Sequence, residues 1–527
     1  MSRKASRASL IALSLERGPN AVPLHLQIYA QLRQAVLEGR LAADTRLPSS
    51  RLLAEESGCS RNTVLNAYEQ LAAEGYIVGR VGAGSYISRV LPEDLQPQDS
   101  KQEQDSRQAG AASSQQEGLE PEGPFLARRA RRILEGSRQQ RPTGLPAFAP
   151  FSVGAPDGRH FPFDVWGRLA GRFWRAPDPL LLKQGDPAGL PELRQAITDY
   201  LGGVRSLKVD PEQIFITSGS QQALTWACRL LLDPGDRVWV EDPGYSGFRA
   251  PLLAAGAETT PVSVDGEGVC VDEALAGPQA RLAVVAPARQ FPTGATLSLA
   301  RRLELLRWAR ATDGWVIEDD YDSEYRYAGR PLAPLQSLGE GAGRVLYIGS
   351  FSKVLFSGIR LGYLVVPPEL AEPLRRLRRA IEDHPPLAMQ PVLAAFMREG
   401  HFAAHVRRMR LIYARRQDCL RQLCADHLPG DSRLEGLEAG LHLVARLPEN
   451  RALRDQAVAA RARAQGLMVQ ALSSYCLTSE RQAGQQGLLL GFAATARSEM
   501  PWAVRALASA LRETNSGNGG QAIHQSG

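Results

Sequence analysis

A lysine, Lys353, follows an apolar stretch of the chain and precedes Arg360 by seven residues. Two hydroxyl side chains, Ser350 and Ser352, lie just before it. A lysine that forms a Schiff base needs partial burial, which lowers its pKa, and an anchor that holds the aldehyde beside it. The serines and the arginine can bind a phosphate as that anchor, Arg360 by bidentate pairing. The alternative interpretation is a surface lysine after a strand.

An acidic segment lies 34 residues before Lys353, directly after the apolar run that ends at Ile317. A carboxylate at the end of a buried strand can keep a pyridine nitrogen protonated, which makes the ring an electron sink. Asp319 is the first candidate for this carboxylate and Asp320 the second. An acidic loop by itself is usually only solvated, so its position relative to the strand and to Lys353 carries the prediction.

Three more segments precede these two. Ser220 and Gln221 follow a predicted strand and a tight turn, where the N-terminus of a helix can bind a phosphate. Tyr245 and Phe291 follow the next strands. A βα turn with one glycine is weak support, and a tyrosine at this position is as often part of the core.

The five segments, in this order, resemble those of the fold-type I aminotransferases, which bind pyridoxal 5′-phosphate. The resemblance implies a Schiff base at Lys353, an Asp319 contact with the ring nitrogen and a Tyr321 contact with the ring hydroxyl. It also implies that Tyr245 stacks on the ring. The implied cofactor-binding set is Lys353, Asp319, Tyr321, Tyr245, Ser220, Gln221, Ser350, Ser352 and Arg360.

The chain departs from the aminotransferase pattern where a substrate carboxylate would bind. Leu489 occupies the position of the arginine that pairs with that carboxylate, and Arg481 is out of register. Losing a bidentate charge pair weakens binding by on the order of a few kcal/mol. Phe291 replaces an asparagine, and Gln184 replaces an aromatic residue. These departures predict at most weak transamination.

The first ninety residues show a different pattern. Apolar residues recur every four positions from Leu24 to Val36, which predicts a helix. Ser49 or Ser50 can cap a second helix, and Ser60 can cap a third that ends near Gly75. Short strands around residues 81–84 predict a β-hairpin wing. Predicted DNA-binding residues are Arg51, Ser60, Arg61, Asn62, Thr63, Tyr68, Gly82 and Gly84.

This N-terminal pattern resembles the winged helix-turn-helix of the GntR family. A GntR-type head before an aminotransferase-like body resembles the MocR-type bacterial transcription regulators, over about 450 of the 527 residues. The resemblance implies an α/β body of fold type I, with a large subdomain built on a mostly parallel sheet and a small C-terminal α+β subdomain. It also implies double-stranded DNA as a partner and a head-to-tail homodimer.

Charge is distributed unevenly along the chain, whose formal net charge is +6. Residues 1–90 carry a net charge of +4, and residues 91–124 carry −6. The acidic stretch is rich in Gln, Ser, Glu and Gly, which predicts a flexible linker. Arginines cluster after it, from Arg128 to Arg141. They form either a solvated helix face on the body or a second contact with DNA or with the acidic linker.

The predicted organisation has four parts: a winged helix-turn-helix over 17–90, a linker with a basic end over 91–145, a PLP-binding body over 146–513 and a disordered tail over 514–527. Six cysteines without metal-ligand spacing and no signal-peptide or membrane pattern predict a cytoplasmic protein. The predicted function is a PLP-binding transcriptional regulator that senses PLP or a small amine. The alternatives are an active aminotransferase with an accessory head and a regulator whose body has lost the cofactor.

Overall fold

The computed structural model describes residues 13–18, 21–80, 84–89, 126–136, 148–179, 183–329, 332–339, 342–448 and 454–519, without the side chains of 515–519. The chain divides into two compact units, Met1–Glu122 and Gly123–Gly527. We call them the head and the body. Among the described residues, no helix is both long enough and apolar enough to cross a bilayer.

The head contains three helices and a β-hairpin: α1 (Leu24–Leu37), α2 (Ser50–Glu56), α3 (Arg61–Ala73), β1 (Ile77–Arg80) and β2 (Gly84–Ile87). Ser49 caps α2 by accepting a hydrogen bond from the Leu52 N–H, and Ser60 caps α3 by accepting one from the Thr63 N–H. These caps satisfy backbone donors that have no partner within the helix. Ser49, rather than Ser50, is therefore the cap of the second helix.

Apolar residues from all three helices and the hairpin form the core of the head. Ile28 and Leu32 from α1 pack with Val64 and Leu71 from α3, and each of these side chains is almost completely buried. The two strands pair antiparallel. The winged helix-turn-helix predicted from the sequence is therefore present.

The large subdomain of the body is built on one sheet of eight strands: β3 (Ile214–Thr217), β4 (Arg237–Asp242), β5 (Glu258–Asp265), β6 (Gly268–Val269), β7 (Leu282–Val285), β8 (Trp315–Asp320), β9 (Val345–Ser350) and β10 (Gly362–Val365). The strand order is β3-β10-β9-β8-β7-β4-β5-β6. Strands β5, β4, β7, β8 and β9 pair in parallel, whereas β10 pairs antiparallel with β3 and β9. The carboxyl ends of the parallel strands therefore meet at one edge, where α/β sheets place their ligands.

Helices cover this sheet and lead into the C-terminal subdomain. They are α4 (Arg128–Gly136), α5 (Phe163–Arg175), α6 (Pro191–Arg205), α7 (Ser220–Leu231), α8 (Arg249–Ala255), α9 (Val271–Ala276), α10 (Leu299–Ala311), α11 (Pro368–Ile381), α12 (Gln390–Arg398) and α13 (His401–His427). Residues on both faces of the sheet are buried beneath them, as in a doubly wound α/β fold.

The C-terminal subdomain has a sheet of four strands, in the order β11-β12-β14-β13, and three helices. Its elements are β11 (Arg433–Glu435), β12 (His442–Arg446), α14 (Asp455–Ala464), β13 (Gln470–Ala471), α15 (Ser479–Gly484), β14 (Gly487–Gly491) and α16 (Met500–Gly519). All of its strand pairs are antiparallel. This arrangement agrees with the small α+β subdomain expected from the sequence.

Two predicted segments differ from the structure. Part of the predicted linker, Arg128–Gly136, is the helix α4, which packs on α8 because Gly136 leaves room for Leu253. The last helix continues to Gly519, so residues 514–519 are helical rather than part of a disordered tail. Residues 91–125, 137–147 and 520–527 lie outside the described residues.

Candidate cofactor and DNA-binding sites

Lys353 is positioned by a hydrogen bond of its own side chain and by hydrogen bonds to the carbonyl of the next residue, Val354. Its Nζ donates a hydrogen bond to the carbonyl oxygen of Gly154 at 2.8 Å. The next carbonyl, that of Val354, accepts a hydrogen bond from the Tyr325 hydroxyl at 3.0 Å and lies 3.1 Å from His405 Nε2. These contacts position the lysine at the carboxyl edge of the large sheet. The sequence did not identify the Gly154, Tyr325 and His405 contacts, because their residues are distant along the chain.

The neighbouring acids Asp319 and Asp320 project from opposite faces of β8, as consecutive strand residues do. Asp320 accepts a hydrogen bond from the Tyr347 hydroxyl at 2.5 Å and pairs with Arg205. Asp319 is 5% exposed, and its Oδ1 has no hydrogen-bond partner among the described residues. Burial, with nearby Asp320 and Asp322, raises the pKa of Asp319 to about 7, although Lys353 opposes the shift. Of these two neighbouring acids, Asp319 is thus the one with an oxygen available to a ligand.

Several other buried polar atoms lack a hydrogen-bond partner among the described residues, and three of them belong to predicted cofactor-binding residues. They are the Tyr321 hydroxyl, the Ser352 hydroxyl and the Gln221 side-chain nitrogen. Buried polar groups are nearly always hydrogen-bonded, so unpaired atoms call for an explanation. A polar ligand that contacts these atoms and Asp319 would provide it. The donor set, with a carboxylate, hydroxyls, an amide and Lys353, fits pyridoxal phosphate.

The N-terminus of α7 and Arg360 form the end of the site suited to an anion. Gly219, which precedes α7, has a φ of +118°, and a Cβ there would lie 3.7 Å from Arg360 Nη1. Ser350 accepts a hydrogen bond from the Ser352 N–H at 3.2 Å. The first N–H groups of a helix and a guanidinium together attract a phosphate. Ser220, Ser350, Ser352 and Arg360 therefore lie near Gly219 at this end of the site.

Phe291 lies at the centre of an aromatic cluster beside Lys353. Its ring is edge-on to Tyr245, Tyr321, His442 and Tyr475, with centroid distances of 5.8, 6.1, 5.4 and 5.1 Å. Burial and the charges of Arg289 and Lys353 lower the pKa of His442 to about 3, so this imidazole is neutral. An asparagine at this position would donate a hydrogen bond, whereas Phe291 provides an apolar surface.

A buried ion pair, which the sequence did not reveal, lies in the large subdomain where it meets the C-terminal subdomain. Arg289 Nε lies 3.4 Å from Asp322 Oδ2, and both side chains are almost fully buried. Arg289 also donates to the carbonyl oxygen of His442 at 2.7 Å. The guanidinium fits between Gly294, Gly436 and Gly440, which have φ values of +79°, +78° and +88°. Only glycine combines this backbone conformation with room for the arginine.

We expect Gly440→Ala to destabilise the body strongly, because the new Cβ would overlap Arg289 Nε in addition to straining the backbone. Gly466→Ala is the matched control, since Gly466 has a φ of +85° but its Cβ would have open space, with Trp502 no closer than 3.9 Å. The control should lose roughly 1 kcal/mol of unfolding free energy and Gly440→Ala clearly more, about 3 kcal/mol or above. Denaturant unfolding measures both. Equal losses would show that the arginine is not confined there.

The start of α3 presents polar residues to solvent. Ser60, Arg61 and Asn62 are exposed, and Arg61 Nε donates a weak hydrogen bond to Ser50 Oγ at 3.3 Å. Arg51 on α2 is also exposed, and Thr63 is half-buried. These positions form one surface at the junction of α2 and α3, where a helix-turn-helix contacts DNA.

The structure corrects the prediction that Tyr68 contacts DNA. Its side chain is 7% exposed, and its hydroxyl donates to the carbonyl oxygen of Pro48 at 2.9 Å. It stabilises the turn before α2 instead, because α3 directs this residue into the core. In the wing, Gly84 has a φ of +103° and is exposed. Gly82 lies outside the described residues.

Comparisons with known proteins agree with this two-part architecture. The family model "Bacterial regulatory proteins, gntR family" matches residues 24–87, and "Aminotransferase class I and II" matches residues 148–482. The body resembles the crystal structure of LysN, an alpha-aminoadipate aminotransferase from Thermus thermophilus. The TM-score is 0.65 and the identity 26%, over 74% of this chain and 98% of that one. The aminotransferase class I and II family depends on pyridoxal phosphate.

Two named regulators match this chain over nearly its whole length and theirs. The chain is 38% identical to the probable rhizopine catabolism regulatory protein MocR of Rhizobium meliloti, over 93% of this chain and 94% of that one. It is 31% identical to the pyridoxine biosynthesis transcriptional regulator PdxR of Corynebacterium glutamicum, over 94% and 96%. A DNA-binding head joined to an aminotransferase-type body defines a class of transcriptional regulators. Within that class, the chain belongs to the MocR-type regulators of the GntR family.

Proposed function

We propose that this regulator binds pyridoxal phosphate at Lys353 and adjusts its binding to DNA when pyridoxal phosphate or a small amine occupies the site. The observation that carries the proposal is the set of buried polar atoms without partners around Lys353, which belong to Asp319, Tyr321, Ser352 and Gln221. They match the polar groups of this cofactor in chemical type. The named pyridoxine biosynthesis regulator is a relative of the chain, which also supports the proposal.

Each residue of the site would contact a different part of the cofactor. Lys353 would bond to the aldehyde carbon, and Asp319 would accept a hydrogen bond from the ring nitrogen. Tyr321 would contact the ring hydroxyl and Tyr245 the ring face. Arg360 would pair with the phosphate, together with Ser220, Gln221, Ser350 and Ser352. When bound, the cofactor supplies an aldehyde that condenses with primary amines and a ring that withdraws electrons.

The environment of Asp319 is suited to a protonated ring nitrogen. Its pKa is raised to about 7 because the carboxylate is buried near two other acids. A cation placed against such a carboxylate stabilises its charged form and is itself stabilised. Asp320 cannot take the role without losing Arg205 and Tyr347. The body would therefore hold the ring in its electron-withdrawing state.

The start of α3 would read the DNA major groove. Arg61 and Asn62 would contact base edges, whereas Arg51, Ser60, Thr63 and the wing glycines would lie against the backbone. A head-to-tail homodimer would present two heads and so define the spacing of two half-sites. Occupancy of the site beside Lys353 would alter the spacing at which the heads are held.

The test combines absorbance with DNA footprinting on the full-length protein. Genome-wide mapping of binding sites first supplies a natural DNA fragment. Visible absorbance of the purified protein, before and after addition of pyridoxal phosphate, reports cofactor binding. Footprints are then recorded as pyridoxal phosphate, ω-amino acids and α-amino acids are titrated. We expect cofactor absorbance and a footprint that changes with at least one ligand.

Two outcomes would contradict the proposal. A protein that gains no cofactor absorbance has a body that no longer binds the group. A protein that transfers amino groups from an α-amino acid to a keto acid at enzyme-like rates is an aminotransferase with a DNA-binding head. The intact Lys353, Asp319, Tyr321 and Arg360 set argues against the first of these outcomes.

Replacing Asp319 with asparagine should leave the cofactor bound but slow its reaction with amines by about tenfold or more. The neutral amide no longer favours a protonated ring nitrogen, so the ring withdraws electrons less strongly. Stopped-flow absorbance after addition of an amine measures the rate. Asp313→Asn is the control, because Asp313 is an acid just before the same strand, away from its carboxyl end. An unchanged rate in the Asp319 variant would assign the role to another acid.

A further inference from the structure

Leu489 belongs to a buried apolar cluster in the C-terminal subdomain. It lies in β14, directly opposite Val444 of β12, and is completely buried. Leu472 and Tyr475 complete the buried part of this cluster. Val153 and Phe291 pack against it. We call Val153, Phe291, Val444, Leu472, Tyr475 and Leu489 the apolar wall.

The two partly buried residues of the apolar wall, Val153 and Phe291, lie next to residues that contact Lys353 or the proposed cofactor. Val153 immediately precedes Gly154, whose carbonyl oxygen accepts the hydrogen bond from Lys353 Nζ at 2.8 Å. Phe291 lies edge-on to Tyr321 and Tyr245, two of the proposed cofactor contacts. A ligand bound at Lys353 would therefore lie against Val153 and Phe291 on this side.

Two arginines of the described residues that lie near the wall, Arg481 and Arg289, are already paired with acids. Arg481 lies 2.7 Å from Glu273 and 3.4 Å from Asp242, and Arg289 lies 3.4 Å from Asp322. Asp242 and Asp322 are almost completely buried. Turning either guanidinium towards a ligand would leave a buried carboxylate uncompensated, which is strongly unfavourable. Neither arginine can therefore take the place of the missing carboxylate partner at Leu489.

We propose, on the basis of the proposed cofactor site, that the apolar wall selects the effector. The effector is then a primary amine whose remainder is uncharged and apolar, such as an alkylamine or arylamine. A carboxylate against Val153 and Phe291 would lose water without gaining a partner. An apolar tail would instead gain affinity, by about fourfold for each methylene removed from water. Val153 and Phe291 are thus the specificity-determining contacts, and the completely buried Leu489 behind them offers no charge that could pair with a carboxylate.

The experiment compares two matched ligand series on full-length protein loaded with pyridoxal phosphate. The first is propylamine, butylamine and pentylamine, and the second carries a terminal carboxylate on the same chains. Amine-dependent absorbance gives the dissociation constants, and the DNA footprint gives the regulatory response. We expect alkylamines to bind about fourfold more tightly per methylene and the carboxylates to bind at least about 100-fold more weakly. Equal or reversed preference would overturn the inference.

Two variants test the wall itself. Val153→Thr keeps the side-chain shape of a partly buried residue but replaces one methyl group with a hydroxyl, so the gain per methylene should fall while cofactor absorbance persists. Leu489→Arg should shift preference towards the carboxylate series by about tenfold or more, with Leu489→Met as a control that keeps the original order. If Leu489→Arg fails to fold, the Val153→Thr comparison still decides. An unchanged gain per methylene in that variant would refute the wall's role.

Failure of this inference is distinguishable from failure of the proposed function. Protein without cofactor absorbance contradicts the proposed cofactor site. Protein with normal absorbance that binds both ligand series equally contradicts only the selection by the apolar wall.

Discussion

Replacing Lys353 with alanine is expected to abolish the cofactor's visible absorbance at this site and its reduction onto the chain by borohydride. DNA binding by the head should be largely retained. The reason is that an alanine has no amine to bond to the aldehyde, whereas the head forms a separate compact unit with its own core. Absorbance spectra, borohydride labelling and a DNA-binding titration measure the three properties.

The chain has few lysines, so few other amines could carry the label in this experiment. Besides Lys353, the lysines are Lys4, Lys101, Lys183 and Lys208. Lys208→Ala is the matched control, because Lys208 is exposed and follows α6 in the same body. Peptide mapping after borohydride reduction identifies the labelled lysine. A reducible bond that persists in the Lys353 variant would place the cofactor on another lysine and refute the assignment.

Replacing Arg61 with alanine is expected to weaken binding to the natural DNA site by roughly 1–3 kcal/mol and to relax sequence preference. Arg61 is exposed at the start of α3, and its hydrogen bond to Ser50 is weak enough to give way to a ligand. An arginine there can form a bidentate contact with a guanine edge. Binding to the natural site and to a scrambled sequence, at several salt concentrations, separates base from phosphate contacts.

Arg51→Ala is the control for this variant, because Arg51 is exposed on α2 and is expected to contact phosphate. It should weaken binding to both DNA sequences similarly and reduce the salt dependence by about one counterion. If Arg61→Ala behaves in the same way, Arg61 is a phosphate contact and the sequence is read by other residues.

Local sequence was sufficient for the features that depend on neighbouring residues. The helices of the head were predicted by apolar spacing and by capping serines, and both signals act within one or two helical turns. The strands that lead to Asp319 and Ser350 were evident because strands buried on both faces are continuously apolar. Parallel strands in this fold end at one edge, so the sequence could also predict that their terminal residues would meet.

Tertiary structure decided the contacts between distant parts of the chain. Gly154 meets Lys353, and Arg289 meets three glycines and Asp322, although nothing in their local sequences marks these partners. Tyr68 shows the converse, since its local context suggested DNA but packing placed its ring in the core. The end of α16 also differs from its prediction, because residues 514–519 continue the helix although their composition suggested a disordered tail.

The sequence alone predicted the lysine, the acid and the helix that would face the proposed ligands, because their chemistry is carried by residue type and by position at the end of an element. The resemblance to aminotransferases also predicted that Leu489 replaces a charged residue. Only the tertiary structure decided what surrounds that leucine. Pairing with a buried acid, not residue type, determines whether a nearby arginine remains available, and the structure shows Arg289 and Arg481 already paired with acids. Such pairing depends on side chains brought together by folding, which spacing along the chain does not encode.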